Sequence, residues 1–170
     1  RSGGKFTSIF NSLDGWTILQ DGNPAFVGYE CDAASVKTLR YREHEDDFWI
    51  VTDRTPFYPE MGGQIGDTGV LEGKGVRFQV VDTQKVNEAI VHRAKLVEGS
   101  LSDEAIANLT ATVSAEGRAA TRRNHSGVHL LHAALRQVLG EHVQQQGSWV
   151  GPDRLRFDFS HYEALSPDQI

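Results

Sequence analysis

In the first half of the chain the apolar positions come in short bursts. β-prone runs occupy residues 16–19, 26–29, 36–41, 48–52, 76–81 and 89–92. Clusters such as Asp21-Gly22-Asn23-Pro24 and Glu72-Gly73-Lys74-Gly75 separate several of them. Short strands at this spacing, divided by turn residues, predict a small β-barrel.

The second half changes period. Ser102-Asp103-Glu104 caps a short turn, and residues 109–113 alternate weakly, as a strand would. A helix is predicted over residues 116–139, with Gly140 placed as its C-terminal stop. Val128, Leu131, Leu135 and Val138 share one face, so this helix is expected to be amphipathic and to pack on a sheet. Residues 154–159 (Arg-Leu-Arg-Phe-Asp-Phe) alternate with period two, a strand signature. Ser166-Pro167-Asp168-Gln169 reads as a helix start, with Ser as N-cap, Pro at the first helical position and Gln two residues later. The chain stops one residue beyond, and a single turn does not sustain a helix; the expectation is a chain cut from something longer. The fold class is therefore α+β (mixed). A Gly/Ser-rich connector is expected over residues 1–14, a barrel domain over 15–98, and an incomplete α/β domain over 99–170.

Composition narrows the setting. The chain has 170 residues, 39% of them hydrophobic, enough for one large domain or two small ones. No apolar run is long enough to span a membrane, and no charged-then-apolar N-terminal signal is present. The single cysteine, Cys31, rules out an internal disulfide framework. No activating base lies near it in sequence, so it reads as a buried or incidental thiol in a reducing, cytoplasmic setting. A net charge of −6 argues against wrapping nucleic acid over the whole surface. Residues 116–136 nevertheless carry Arg118, Arg122, Arg123 and Arg136 against Glu116 alone, a local basic cluster.

Two segments carry chemistry. His125 and His129 stand four residues apart on the predicted helix, so both imidazoles reach one face and one metal ion. Two histidines do not complete a zinc shell, which takes four ligands, or three and a water; a half-buried polar stripe is the plainer alternative. His132 shares the face and is expected to be structural, while His44, His92, His142 and His161 have no ligand spacing. The second segment, residues 54–69, has neither helical nor strand periodicity. Its two prolines and four glycines mark a shaped loop. Gly62-Gly63 permits positive φ and close approach of a ligand to the backbone, and Thr55 and Gln64 offer a hydroxyl and an amide. An ordinary hairpin connection is the alternative there.

Three ordered stretches form a pattern: Thr55 to Gly69 (Thr-Pro-Phe-Tyr-Pro-Glu-Met-Gly-Gly-Gln-Ile-Gly-Asp-Thr-Gly), Arg122 to Arg136 (Arg-Arg-Asn-His-Ser-Gly-Val-His-Leu-Leu-His-Ala-Ala-Leu-Arg), and Leu155 to His161 (Leu-Arg-Phe-Asp-Phe-Ser-His). Together they resemble the editing region of alanyl-tRNA synthetases, of the threonyl/alanyl second additional domain superfamily, and their free-standing relatives. The resemblance runs from about residue 26 to the C-terminus. It implies a translation-type β-barrel followed by a metal-binding α/β subdomain. It also implies hydrolysis of mischarged seryl- or glycyl-tRNA(Ala), in a parent protein that attaches alanine to tRNA(Ala) with ATP. Thr55 would then test the aminoacyl side chain with its hydroxyl, and Gln64 would position water or the ester. Gly62, Gly63, Arg123 and Asn124 would bind substrate. His125 and His129 would hold zinc with two ligands from a Cys-x-x-x-His motif beyond the chain's end. ATP and magnesium would belong to an aminoacylation domain absent from these residues. The implied partner is the tRNA(Ala) acceptor end, with no membrane and no protein partner in view.

A Ser/His/Asp set or an activated cysteine is not visible, so a covalent acyl-enzyme is not expected. Alanine is smaller than serine, and a synthetic pocket hardly excludes one extra hydroxyl; a second site that hydrogen-bonds that hydroxyl does. A free-standing trans-editing deacylase and a non-catalytic tRNA-binding barrel stand as the alternatives.

Overall fold

The computed structural model describes residues 15–169. The connector expected over residues 1–14 lies outside them. Among the described residues there are eleven strands: β1 (Thr17–Ile18), β2 (Ala25–Phe26), β3 (Ala33–His44), β4 (Asp47–Thr52), β5 (Arg54–Thr55), β6 (Gly69–Gly73), β7 (Val76–Val86), β8 (Ala89–Gly99), β9 (Asn108–Val113), β10 (Gln144–Val150) and β11 (Leu155–Ser160). The helices are α1 (Asp103–Ala107) and α2 (Ala115–Leu139), with a 3-10 turn over Pro167–Gln169. The described residues are mixed, mostly strands, with a barrel and two helices.

β3, β4, β8, β7, β6 and β9 hydrogen-bond in that order, and β9 returns to β3, which closes a six-stranded barrel. β3 serves both neighbours: Ala33 to Lys37 pair with β9, and Thr38 to His44 pair with β4. β1 adds to its outer side at Tyr41 and Arg40. Turn chemistry follows strand pairing. His44 opposes Asp47, Gly73 opposes Val76 and Val86 opposes Ala89, each across a two-residue connection. Each connection places a residue at positive φ: Glu45 (55°), Gly75 (76°) and Asn87 (54°), as tight hairpins require.

Period two explains the packing of β4. Phe48 and Ile50 point into the barrel with Leu71, Phe78, Val80, Ala94, Leu109 and Ala111. Trp49 and Val51 point the other way, into a second cluster with Leu39, Val86, Ala89 and Val91, against which Trp16 packs. β4 is thus apolar on both faces and reads as an unbroken run.

Strands β5, β6 and β10 have no counterpart in the sequence expectations, and β3, β7 and β8 run well past the predicted runs. Most of the additional residues are polar, Arg42, Gln84, Lys85 and Lys95 among them, and carry no hydrophobic signal. β9 is hydrogen-bonded to both β3 and β6, so the barrel unit takes in residues to Ala115, beyond the expected boundary at residue 98. α1 starts at the Ser102 N-cap, whose hydroxyl accepts from Ala105 N at 3.2 Å. Its orphan C-terminal carbonyl at Ile106 accepts from the buried Thr38 hydroxyl at 2.6 Å.

A second unit comprises Gly62–Ile65 and the chain from Glu116 onward. α2 ends as expected: Gly140 has φ 114° and its N–H donates to Arg136 O at 3.0 Å. β10 and β11 form an antiparallel hairpin. The helix face predicted to pack is only partly covered: Val128 is buried, but Leu131 is 39% and Val138 55% exposed. Hairpin contacts reach Asn124, Gly127 and His132, all in the middle of the helix rather than along its last turns. At the chain's end Gln169 Oε1 accepts from Ser166 N at 2.9 Å, the capping arrangement expected, on a single 3-10 turn.

Replacing Thr38 by Val leaves the Ile106 carbonyl buried without a donor. The expected cost is about 1–3 kcal/mol, read as a lower denaturation midpoint at unchanged slope in urea.

Candidate active site

Thr55 ends the short strand β5, which pairs in parallel with β2. Pro56 follows it and holds Thr55 extended. The side chain is 1% exposed. Its hydroxyl lies 2.7 Å from His92 Nε2 and accepts from Phe57 N at 3.1 Å. His92 sits on β8 opposite Ile50 and Thr83 and is fully buried. Its Nδ1 is 2.9 Å from Ile50 O. A carbonyl only accepts, so Nδ1 carries the proton and Nε2 presents a lone pair. Burial pushes the His92 pKa down to about 4, against the opposing pull of the Ile50 carbonyl. Phe57 meets the ring edge to face at 5.2 Å.

Two exchanged bonds pin the loop that follows. Tyr58 N donates to the Asp67 carboxylate at 2.8 Å, and Asp67 N donates to Tyr58 O at 2.8 Å. Thr83 Oγ1 donates to Asp67 O at 2.8 Å.

Within the second unit, Gly62 and Gly63 adopt φ of 62° and 86°. A Cβ on Gly63 would sit 2.5 Å from Ser148 O. Gly63 O accepts from Val150 N at 2.8 Å, and Ile65 N donates to Val150 O at 3.0 Å. The glycine pair thus lays residues 63–65 along β10 and holds Gln64 between two ladder bonds. From there Gln64 Oε1 reaches His125 Nδ1 at 2.8 Å. His125 and His129 are exposed, with rings stacked 5.1 Å apart at 23°. Because an amide oxygen accepts, His125 donates from Nδ1, and Nε2 is the ring nitrogen left for a metal. That is the second-sphere arrangement metal-bound histidines use.

The neighbouring candidates have different surroundings. Asn124 spends its amide hydrogens on Gly151 O (2.7 Å) and Pro152 O (3.1 Å), tying the hairpin turn to α2. Arg123 is exposed. His132 packs on Phe157 at 5.1 Å, with its Nε2 buried and without a hydrogen-bond partner. His161, given no role above, lies with its Nδ1 2.9 Å from His142 Nε2. Cys31 is half-buried, with its thiol 3.6 Å from Val27 O.

The donor set offers two imidazole nitrogens to a zinc ion. Among the described residues no third His, Cys, Asp or Glu joins them, so these residues match only half of a tetrahedral shell. His92 is the residue that spacing did not reveal. It closes the apolar run Ala89-Ile-Val-His, and a polar residue at the end of that run was the available signal.

The family model for class II (A) tRNA synthetases matches residues 28–114. The chain therefore belongs to the class II (A) tRNA synthetase family, on its alanyl-tRNA synthetase branch. The alanine–tRNA ligase of Chromohalobacter salexigens is 53% identical over 160 residues, covering 88% of this chain and 18% of that protein. Those of Pseudomonas fluorescens and Bacteroides fragilis are 46% and 45% identical, covering 100% and 91% of this chain. The chain spans about a fifth of the length of these relatives. No described helix is long and apolar enough to cross a membrane.

The depressed His92 pKa makes stability depend on pH. The unfolded chain binds a proton near pH 6.5 that His92 in the fold refuses until about pH 4. His92's contribution is therefore complete above pH 6.5 and is lost as pH falls towards 4, by up to about 3 kcal/mol. Urea denaturation at pH 7 and pH 4.5 should show a larger loss for wild type than for His92→Gln.

Proposed function

We propose that this chain is an editing module that hydrolyses mischarged seryl- or glycyl-tRNA(Ala), serving a parent protein that joins alanine to tRNA(Ala) with ATP. The observation that carries this reading is the 2.8 Å contact between Gln64 Oε1 and His125 Nδ1. It links two motifs 61 residues apart within the second unit. Family membership supports the class of substrate.

The reaction is attack of water on the ester joining an amino acid to the terminal ribose. The ester carbon–oxygen bond breaks, and free amino acid and the ribose hydroxyl leave. Gln64 has its Oε1 engaged by His125, so its amide hydrogens are what it offers the ester oxygen or the water. Thr55 reads the side chain through its hydroxyl. The basic residues of α2, Arg122 and Arg123 among them, meet the phosphates of the acceptor end. A zinc ion on His125 Nε2 and His129, completed by donors from elsewhere, would polarise the ester or orient the amino group.

Full-chain deacylation of Ser-tRNA(Ala) and Ala-tRNA(Ala) tests this. Wild type is expected to favour the seryl ester, and Thr55→Val to lose about tenfold of that preference, the worth of one hydrogen bond; equal rates for both esters in wild type sink the reading. Zinc content is checked separately by elemental analysis, with His125→Ala/His129→Ala expected to abolish any bound metal and metal uptake unchanged in that variant arguing against the pair.

A further inference from the structure

A hydroxyl has one proton to give and two lone pairs to receive with, and the barrel accounts for most of Thr55's. His92 Nδ1 faces Ile50 O at 2.9 Å, so that nitrogen holds the ring's proton. Nε2 is then an acceptor, and the Thr55 hydroxyl 2.7 Å away gives it a proton to accept. One lone pair of the same oxygen is taken by Phe57 N–H at 3.1 Å. What Thr55 retains is a single lone pair.

We infer that His92 is a positioning residue that makes Thr55 an obligate hydrogen-bond acceptor, so that the ligand it selects is one that donates a hydroxyl. This rests on the editing reading above and adds a chemical rule to it. A seryl side chain donates and completes the set, whereas an alanyl methyl group leaves the lone pair facing carbon. A glycyl ester has no side chain, so its recognition is independent of His92. The network holds because the ring stays neutral: a second proton on Nε2 would turn the hydroxyl round and make it a donor. Burial keeps that proton off at ordinary pH.

Two measurements on the full chain test this. Nitrogen-15 NMR of labelled histidine reads the tautomer directly and needs no variant. The expected pattern is a protonated Nδ1 and a bare Nε2 on His92 from pH 5.5 to 8; a proton on Nε2 overturns the inference. Binding is then measured with non-hydrolysable seryl, alanyl and glycyl amides of 3′-amino-3′-deoxyadenosine. His92→Asn keeps a donor for Ile50 O and removes the acceptor beside Thr55. His92→Gln puts an amide oxygen near the place of Nε2. The seryl-over-alanyl preference should fall about 3- to 10-fold in His92→Asn and return in His92→Gln, with glycyl affinity unchanged in both. A His92→Asn chain that folds, by its amide spectrum, and keeps the wild-type preference overturns the inference, even where Thr55→Val lowers that preference. A wild-type chain with the proton on Nδ1 that binds seryl and alanyl amides equally overturns the editing reading, and the selectivity rule with it.

Discussion

Closure of the sheet by β9 is the constraint on which the barrel depends. Without it β3 and β6 would each present an open edge of unpaired backbone groups, and the apolar interior would face water. Asn108 to Val113 pair on one side with Ala33 to Lys37 and on the other with Gly69 to Glu72. The same strand carries its neighbours with it. Ser114 N donates to Thr68 O at 2.8 Å, which anchors the far end of the proline- and glycine-rich loop. Closure also puts β4 and β8 side by side deep in the wall, where Ile50 and His92 face each other.

That position determines the chemistry of His92. An imidazole with no exposure holds its neutral form, and a neutral ring has one donor and one acceptor. Ile50's carbonyl uses the donor, which leaves the acceptor for Thr55. The histidines of α2 are under the opposite condition. His125 and His129 lie at the surface, and the contact with Gln64 and the stacking of the two rings orient the first of them. His92 is thus buried and oriented by the wall around it, whereas His125 and His129 are exposed on α2.

Much of this was legible in the residues. Turn clusters and short apolar bursts located the barrel, and the spacing of His125 and His129 put them on one helix face. Gly140, Ser102 and Ser166 marked ends that the structure places where expected, because caps depend on a few neighbouring residues. Less legible were the pieces whose partners are distant. β6 and β10 are rich in glycine and glutamine and have little apolar alternation. The amphipathic face of α2 was read correctly as a pattern, yet Leu131 and Val138 remain exposed, since a pattern states which face is apolar and not what covers it.

The division has a physical basis. Local signals, meaning period, capping and the positive φ that a Gly-Gly pair allows, are properties of consecutive residues, so the sequence by itself determined most of the strands, the long helix and the motifs that mark the family. Hydrogen-bond polarity is a property of three groups meeting in space. Ile50, Thr55 and His92 are separated by up to 42 residues, and Gln64 and His125 by 61. Only the closed barrel decided that a histidine without ligand spacing stands behind Thr55, and only the run of residues 63–65 along β10 decided which atom of Gln64 meets His125.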